Sequence, residues 1–403
     1  MNDIETSVPA GEAPWTCPFC PLLCDGFSVS AVPPALMLVG SDCARARSAL
    51  ARFNAAPSTA QPQVNGQACS LDAAIAAAAK LLAASHQPLF GGLATDVAGA
   101  RALYTLATET GAICDAGQGA ALTQGLRALQ DRGGFTTTLA EVRSRADLIV
   151  CVGGLPSQNF PEFFKRCGVV ETDPRVAVLG EAGVDLFDSV AWLAALLDGT
   201  RANAPAGLVA LSDRLRQSRY AVIVYELERL PAHGGLIIEA INRIVGSLNR
   251  TTRAAALALG GGDGAATVNN VFTWLSGLPL RSRAGPAGLE HEPLCFDAQR
   301  LLANAAVDVV LWVSSFGARP VPASAPSVPR IMLGHPDMAG SADDTVFVPV
   351  ATPGIGAAGH LFRTDGSVLM PLRALRADTL PAVSDVLQRL THALRATCSE
   401  AAA

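Results

Sequence analysis

Residues 145–154, RADLIVCVGG, contain a continuous apolar run that ends in the glycine pair Gly153 and Gly154. An uninterrupted apolar run of this length is typical of a parallel strand that is buried on both faces of its sheet. A parallel strand needs a crossover connection to its neighbour, and that connection is usually a helix. The stretch therefore predicts a parallel β-sheet with crossover helices.

Similar runs occur along most of the chain and alternate with stretches of helical period. Further strands are predicted over residues 88–92, 112–115, 175–180, 220–227, 254–260, 307–315 and 345–351. Helices are predicted over residues 70–85, 95–111, 234–249 and 380–397, and long loops over residues 260–264 and 281–293. This alternation indicates an α/β protein with parallel sheets, in which ligands usually bind at the carboxyl ends of the strands.

The helix boundaries carry recognisable signals at two places. Ser70 or Asp72 can begin the helix over residues 70–85, which is rich in alanine, the residue with the highest helix propensity. Thr95 is the expected N-cap of the next helix, and Gly111 is its expected C-terminal stop.

The composition is that of a large globular protein. The chain has 403 residues, of which 50% are apolar, and a net charge of −5. A typical domain has ~100–200 residues, so two or three domains are expected. The chain has no basic tract of the kind that would indicate a nucleic-acid partner. Its longest apolar stretch (residues 73–79) is far short of the ~20 residues that a membrane span requires. The N-terminus is polar and has no signal-peptide core, which predicts a cytoplasmic protein.

Four of the ten cysteines fall within the first 43 residues. The stretch WTCPFCPLLCDG (15–26) places Cys17, Cys20 and Cys24 at C-x₂-C-x₃-C spacing, and Cys43 follows. Disulfides are rare in a reducing cytoplasm, and four thiolates can close a tetrahedral site around a 4Fe–4S cluster or a Zn²⁺ ion. We therefore predict a metal site at these four residues. Two alternatives stay open, namely four unrelated core cysteines and a ligand set that no longer holds a metal.

The rest of the chain shows no recognisable catalytic motif. Cys114 and Cys151 fall inside predicted strands, where a buried core role is expected. The six histidines are isolated, and the sequence contains no HExxH zinc motif, no GxSxG nucleophile elbow and no P-loop. No catalytic residue is predicted.

Four stretches resemble the molybdopterin oxidoreductase superfamily and, within it, the branch formed by the B subunit of formylmethanofuran dehydrogenase. They are the four-cysteine region and residues 146–166, 248–279 and 345–368, the last being TVFVPVATPGIGAAGHLFRTDGSV. The Ala- and Arg-rich sequence is most similar to the B subunit of the bacterial formyltransferase/hydrolase complex. The resemblance implies a multi-domain architecture, with an N-terminal four-cysteine module (residues 1–68) and an α/β body in two or more lobes (residues 69–403).

In the redox members of this superfamily, the corresponding chain carries a 4Fe–4S cluster and a tungsten or molybdenum bis-pterin cofactor. Their metal-binding cysteine is followed by histidine and glycine, but aligning Asp115 with the family aspartate places Ala120 and Ala121 where the cysteine should lie. No Cys-His-Gly occurs in the chain. The resemblance therefore implies that no tungsten or molybdenum pterin is bound.

The loops that would hold the pterin diphosphates also differ from those of a phosphate site. Residues 156–159 offer Pro156, Ser157, Gln158 and Asn159 as possible contacts, while residues 335–344 bring His335 with acidic residues that would repel a diphosphate. His360, in the most specific of the similar stretches, is a further candidate for a functional role. We predict no cofactor-binding residue with certainty.

The resemblance implies a non-catalytic structural subunit. Its partners would be the hydrolase, the formyltransferase and a third subunit of a complex that transfers formyl from tetrahydromethanopterin to methylofuran and releases formate in formaldehyde oxidation. The alternative is a redox-active tungsten or molybdenum subunit of a formylmethanofuran or formate dehydrogenase. A third possibility is an iron–sulfur electron-transfer protein, but the long α/β body would be superfluous in one.

Overall fold

The computed structural model describes residues 12–30, 35–53, 56–180, 184–200, 203–322, 328–338 and 345–402. The strands in this part of the chain are β1 (Glu12–Trp15), β2 (Phe27–Ser30), β3 (Met37–Val39), β4 (Gln63–Val64), β5 (Gln67–Ala68), β6 (Pro88–Ala94), β7 (Ile113–Cys114), β8 (Leu148–Val152), β9 (Val176–Leu179), β10 (Tyr220–Glu226), β11 (Arg253–Leu259), β12 (Ser282–Gly285), β13 (Gly288–His291), β14 (Val309–Ser314), β15 (Arg330–Gly334), β16 (Thr345–Pro349), β17 (Gly359–Phe362) and β18 (Leu369–Leu372). The helices are α1 (Ala44–Leu50), α2 (Leu71–Ala84), α3 (Val97–Thr110), α4 (Gly119–Arg132), α5 (Leu139–Arg145), α6 (Phe163–Arg166), α7 (Leu186–Leu197), α8 (Ala206–Gln217), α9 (Gly234–Leu248), α10 (Ala265–Ser276), α11 (Ala298–Ala303) and α12 (Val383–Ala402). Every predicted strand and helix is present, with boundaries shifted by up to five residues.

The chain divides into two compact units. The first consists of residues 1–119, 261–362 and 369–403, and the second of residues 120–260 and 363–368. None of the described helices combines the length and apolar character needed to cross a membrane.

A nine-stranded sheet organises the first unit, in the order β13-β12-β7-β6-β14-β15-β16-β4-β5. Its five central strands, β7, β6, β14, β15 and β16, are parallel. The hairpins β12–β13 and β4–β5 add antiparallel strands at the two edges. Helix α12 packs against both α2 and α3. The α/β class with parallel sheets is therefore confirmed.

A smaller sheet, in the order β11-β10-β8-β9, organises the second unit, and all its strands are parallel. The apolar run within residues 145–154 forms β8, and all five residues of this strand are buried. The core of this unit combines strand residues such as Val150 and Ile223 with helix residues such as Leu193 and Ile241. Burial on both faces explains why β8 is apolar throughout instead of alternating.

The ends of two helices test the predicted caps. Ser70 precedes α2 and its hydroxyl accepts a hydrogen bond from the Ala73 amide at 3.2 Å, as expected. The prediction of Thr95 as the cap of α3 is wrong by one residue, because the Asp96 carboxylate accepts from the Gly99 amide at 3.0 Å. Gly111 ends α3 in the left-handed conformation (φ 66°), as predicted. A carboxylate is a natural choice at the start of α3, since a helix N-terminus carries partial positive charge.

The loop predicted over residues 281–293 is also wrong, because most of it forms the hairpin β12–β13. Its polar sequence, RSRAGPAGLEHEP, has no apolar alternation that would indicate a strand. Pairing of Ser282 with Cys114 places β12 at the edge of the large sheet, so tertiary pairing supplies what local sequence does not.

Candidate functional site

Three of the four predicted metal ligands lie on a tight loop between β1 and β2. The Cys17 amide donates to the Cys24 carbonyl at 2.9 Å, and the Leu23 amide donates to the Cys20 carbonyl at 3.0 Å. Leu23 adopts a positive φ of 44°, which costs energy for a residue with a side chain. These bonds close the loop on itself and keep the three cysteines within one turn of chain.

The fourth cysteine approaches from a different element. Cys43 occupies the N-cap position of α1, just after β3 in the small antiparallel sheet β1-β2-β3. All four thiols are buried. The pKa of Cys17 is raised, first by burial and then by the nearby thiols of Cys20, Cys24 and Cys43. The structure thus gathers the four residues in one module.

The donor chemistry suits a thiophilic metal, although the thiols are not drawn together into a finished ligand set. Among the described residues, no group of three or more His, Cys, Asp or Glu side chains is placed so that it could hold a metal ion. Four cysteines are the ligand set of both a structural Zn²⁺ and a 4Fe–4S cluster. If either is bound, Cys17, Cys20, Cys24 and Cys43 would hold it.

Aromatic and backbone contacts fix this module to the rest of the first unit. The Trp15 indole N–H donates to the Gly354 carbonyl at 2.8 Å, in the glycine-rich stretch that follows β16. Phe19 stacks on Phe53 with ring centroids 5.8 Å apart, and Phe53 meets the edge of the His335 ring at 5.0 Å. The cysteine loop is therefore held against the loops that follow β15 and β16.

The carboxyl end of β7, where the superfamily places its metal-binding cysteine, carries a buried ion cluster. Arg281 Nε lies 3.2 Å from Asp115 Oδ1, and Arg281 also pairs with Asp297. The Ala298 amide donates to Asp115 Oδ2 at 2.9 Å. Burial raises the pKa of Asp115 to about 6, and the Arg281 guanidinium only partly opposes this effect.

The sequence pattern does not single out Arg281, because this residue stands in a stretch predicted to be a loop. In the sequence, a charged residue beside a polar turn cannot be told from an ordinary solvated side chain. Only the pairing of β12 with β7 brings Arg281 to Asp115. The alanines at the aligned cysteine position, Ala120 and Ala121, lie in the first turn of α4. Neither offers a group that could bind a metal.

The isolated thiols in strands are core residues, as predicted. Cys114 in β7 and Cys151 in β8 are each 1% exposed. Burial raises the pKa of both thiols, that of Cys151 to about 12. Both are therefore protonated at neutral pH and poor nucleophiles.

The loops considered for a pterin diphosphate contain mainly internal contacts. In the second unit, Pro156–Gln158 forms a short 3₁₀ turn and the Asn159 amide group donates to Glu226 at 2.7 Å. His335 is buried and accepts from the Asp337 amide at 3.2 Å. Most of the acidic loop, residues 339–344, lies outside the described residues. His360 is exposed on β17.

At the carboxyl ends of β6 and β14, the position expected for a ligand in this fold, the space is nearly filled. The cavity there measures about 20 Å³, which suits about one water molecule. The Trp312 ring packs on two glycines, and a Cβ on Gly91 would lie 2.6 Å from its Cζ3 atom. Gly92 combines a similarly close approach with a φ of +73°. This cavity adjoins a larger cleft of about 400 Å³, because Asp263 and Arg319 line both.

Known proteins resemble this chain over most of its length. No family model matches the chain. The B subunit of the formyltransferase/hydrolase complex Fhc from Methylorubrum extorquens is 32% identical over 345 residues, which cover 80% of this chain and 93% of that protein. The B subunit of the tungsten-containing formylmethanofuran dehydrogenase 2 from Methanocaldococcus jannaschii is 23% identical over 394 residues, 87% of this chain and 90% of that protein.

A solved structure extends the likeness to three dimensions. One chain of the crystal structure of the formyltransferase/hydrolase complex FhcABCD from Methylorubrum extorquens, determined with methylofuran, superimposes with a TM-score of 0.74 at 29% identity. The match covers 84% of this chain and 99% of that one. With this likeness along nearly the whole length of its relatives, the chain belongs to the family of B subunits of the formyltransferase/hydrolase complex.

Proposed function

We propose that this chain is a structural subunit of a formyltransferase/hydrolase complex and performs no catalytic step itself. The complex would transfer formyl from tetrahydromethanopterin to methylofuran and release formate, with the chemistry carried out by sister subunits. The observation that carries the proposal is the match to a chain of the FhcABCD structure over 99% of that chain's length. Holding two active sites at a fixed separation raises the effective concentration of a tethered intermediate.

Two observations support the absence of a redox role. Ala120 and Ala121 stand where the superfamily cysteine is expected. The relatives from the tungsten-containing enzymes are also more distant, at 23% and 22% identity.

We also propose that the four-cysteine module serves as a structural staple. Cys17, Cys20, Cys24 and Cys43 would hold one Zn²⁺ ion or one 4Fe–4S cluster, which would tie the β1–β2 loop to the start of α1. Two observations support this assignment. All four thiols are buried, and those of Cys20, Cys24 and Cys43 raise the pKa of Cys17.

Co-expression tests the structural role. We expect the chain alone to be poorly soluble, because apolar side chains such as Met37 (63% exposed), Val170 (64%) and Trp274 (61%) lie on its surface. Together with the hydrolase, the formyltransferase and the third subunit of the same organism, it should yield a stable assembly, because partner binding stabilises the native state. The measurements are soluble yield and mass by light scattering. A stable monomer that associates with none of these subunits would contradict the proposal.

A further inference from the structure

A groove of about 620 Å³ runs along the outer side of α3 and α12 in the first unit, and the end of α10 forms part of its rim. Buried side chains form its floor, such as Ala102 of α3 and Thr391 of α12. Among the described residues, none that lines this groove also lines the cavity at the ends of β6 and β14 or the cleft that adjoins it. The groove is therefore separate from the position at which this fold usually binds ligands.

An exposed apolar patch continues from the rim of the groove. Leu275 lines the groove, and it and its neighbour Trp274 are both exposed. The Trp274 ring meets the Phe362 ring with centroids 5.1 Å apart, and the exposed Leu369 lies opposite Phe362 in the β17–β18 ladder. Residues opposite each other in an antiparallel pair point to the same face. We call the exposed side chains of Trp274, Leu275 and Leu369 the Trp274 patch.

The exposure of Trp274 is unusual within this chain. Trp15 and Trp312 are buried and Trp192 is half-buried, whereas 61% of Trp274 is exposed. A contiguous apolar patch on a folded protein is typical of an interaction site, and tryptophan is enriched among the residues that contribute most to binding between proteins. The patch therefore has the properties expected of the centre of an interface.

The groove beside the patch adds positive charge. Arg101, His392 and Arg395 line it, and no Asp or Glu within the described part of the chain does so. Arg395 is compensated from outside the lining, since its Nε lies 3.1 Å from Glu109 Oε2. The side chains of Arg101 and His392 form no hydrogen bond or ion pair with any described residue. A surface that meets this groove is complementary to it if it brings a carboxylate to Arg101.

We propose that the Trp274 patch and the groove beside it form the docking surface for a sister subunit, whose contacting face has an apolar pocket for Trp274 and a carboxylate for Arg101. The aromatic ring would supply most of the affinity, because interfaces commonly have an apolar centre and a polar rim. The charged pair would set the orientation of the partner. The inference rests on the proposed structural role and deepens it, since it assigns the surface that binds a partner and the chemistry of that partner's face.

Hydroxyl-radical labelling of the assembled complex tests whether the patch is covered. We expect Trp274 to be labelled as slowly as the buried Trp15, and both to be labelled rapidly after the complex is unfolded. If the wild type assembles with no sister subunit, the structural role fails and the docking surface with it. If it assembles and Trp274 is labelled as rapidly as in the unfolded protein, the docking surface alone is wrong. Protection of Trp274 in the chain without its sister subunits would assign the patch to a second copy and would also overturn the proposal.

Competition during co-expression measures the contribution of each residue, even for a chain that is poorly soluble alone. Each variant is produced together with the wild type and limiting sister subunits, and mass spectrometry gives the ratio of the two in the purified complex. Trp274→Ser and Arg101→Glu should each be incorporated roughly tenfold less than the wild type, as for residues central to an interface. Val170→Ser and Arg127→Glu are the matched controls, because Val170 is as exposed as Trp274 and Arg127 is an exposed helix arginine of the second unit. Equal losses in the test and control variants would contradict the proposal.

A further pair of variants keeps Trp274 and Arg101 in place. Thr105 is exposed, lines the groove and stands one helical turn after Arg101. Thr105→Glu places a competing carboxylate beside Arg101, whereas Thr105→Gln adds a neutral side chain of the same size. Both residues favour helix, so α3 should form in either variant. The glutamine variant should be incorporated several-fold better than the glutamate variant, and equal incorporation of the two would show that no carboxylate of a partner meets Arg101.

Discussion

Among single residues, the buried cluster of Asp115 and Arg281 shows how one side chain can depend on a distant part of the chain. The two residues are 166 positions apart, and both side chains are at most 5% exposed. A buried charge is tolerated only when partners compensate for lost hydration. Here the partners are a guanidinium and the Ala298 amide, and burial nevertheless dominates the pKa of Asp115.

The raised pKa of Asp115 predicts a pH dependence of stability. The pKa rises from its ordinary value of 3.8 to about 6 on folding, so the folded state binds the extra proton between these values. The protonated Asp115 carboxyl therefore stabilises the folded state fully below pH 3.8. This stabilisation is lost as the pH rises through about 6. The free energy of unfolding of the wild type, minus that of Asp115→Asn, should therefore fall by about 3 kcal/mol across this window. Urea unfolding of both proteins at several pH values measures it.

Asp147 provides a control of opposite sign. Although partial burial raises its pKa, hydrogen bonds from the Tyr220 and Arg219 amides produce a net lowering. The wild type minus Asp147→Asn should accordingly gain stability as the pH rises through the acidic range. If the stability difference between wild type and variant changed in the same direction with pH for both aspartates, the pH effect would not come from these side chains.

The cysteine module yields a second prediction about single residues. If Cys20 is a metal ligand, Cys20→Ser should lower both the zinc or iron content and the melting temperature, because structural Zn²⁺ binding supplies on the order of 10–16 kcal/mol in small domains. Elemental analysis and thermal unfolding measure the two effects. Cys295→Ser is the control, since Cys295 is exposed and outside the module. Unchanged stability, metal content and complex yield in the Cys20 variant would identify the site as a relic.

Among the secondary-structure elements, α3 depends on a cap that the sequence pattern places one residue too early. Threonine and aspartate are both good N-caps, so the pair Thr95–Asp96 leaves the start of the helix ambiguous. In the structure Asp96 accepts from the helix, and the buried Thr95 hydroxyl has no partner among the described residues. The orientation of β6 relative to α3 decides which side chain faces the free amides.

This assignment predicts unequal costs for two neighbouring substitutions. Asp96→Ala should reduce the free energy of unfolding by about 1–2 kcal/mol, because the Gly99 amide loses its acceptor. Thr95→Val should be close to neutral or slightly stabilising, since it replaces an unpaired hydroxyl by a methyl group of similar size. Chemical denaturation of the two variants measures the difference. The reverse order of stabilities would restore Thr95 as the cap.

Over most of its length, the chain is similar both to a subunit of a formyltransferase/hydrolase complex and to subunits of tungsten-containing dehydrogenases. The two parallel sheets need only apolar strands and crossover helices, which place no requirement on metal ligands. Function depends on a few positions at strand ends, and these can change while the core is kept.

The corresponding prediction concerns the purified complex. We expect no stoichiometric tungsten, molybdenum or pterin, and no oxidation of a formyl substrate coupled to an artificial dye. The reason is the missing Cys-His-Gly sequence together with Ala120 and Ala121 at the aligned position. Elemental analysis, pterin fluorescence after extraction and a dye-reduction assay measure the three quantities. Stoichiometric tungsten or molybdenum would return the chain to the redox branch of the superfamily.

Local sequence patterns were sufficient to predict the α/β class, the position of nearly every strand and helix that was expected, and the buried state of Cys114 and Cys151. An apolar run that is buried on both faces has the same appearance wherever it lies in the sheet. The family resemblance came from the same source. Motifs such as TVFVPVATPGIG are contiguous in the chain and need no knowledge of what packs against them.

Tertiary packing was needed to reveal the pairing of β12 with β7 and the partnership of Arg281 with Asp115. Both join segments that are far apart in sequence, since Arg281 and Asp115 are 166 positions from one another. A polar side chain that is buried because its strand pairs with a distant strand leaves no periodic pattern in the local sequence. Such contacts are set by which strands lie side by side and by where charges can be compensated, and both depend on the complete packed fold.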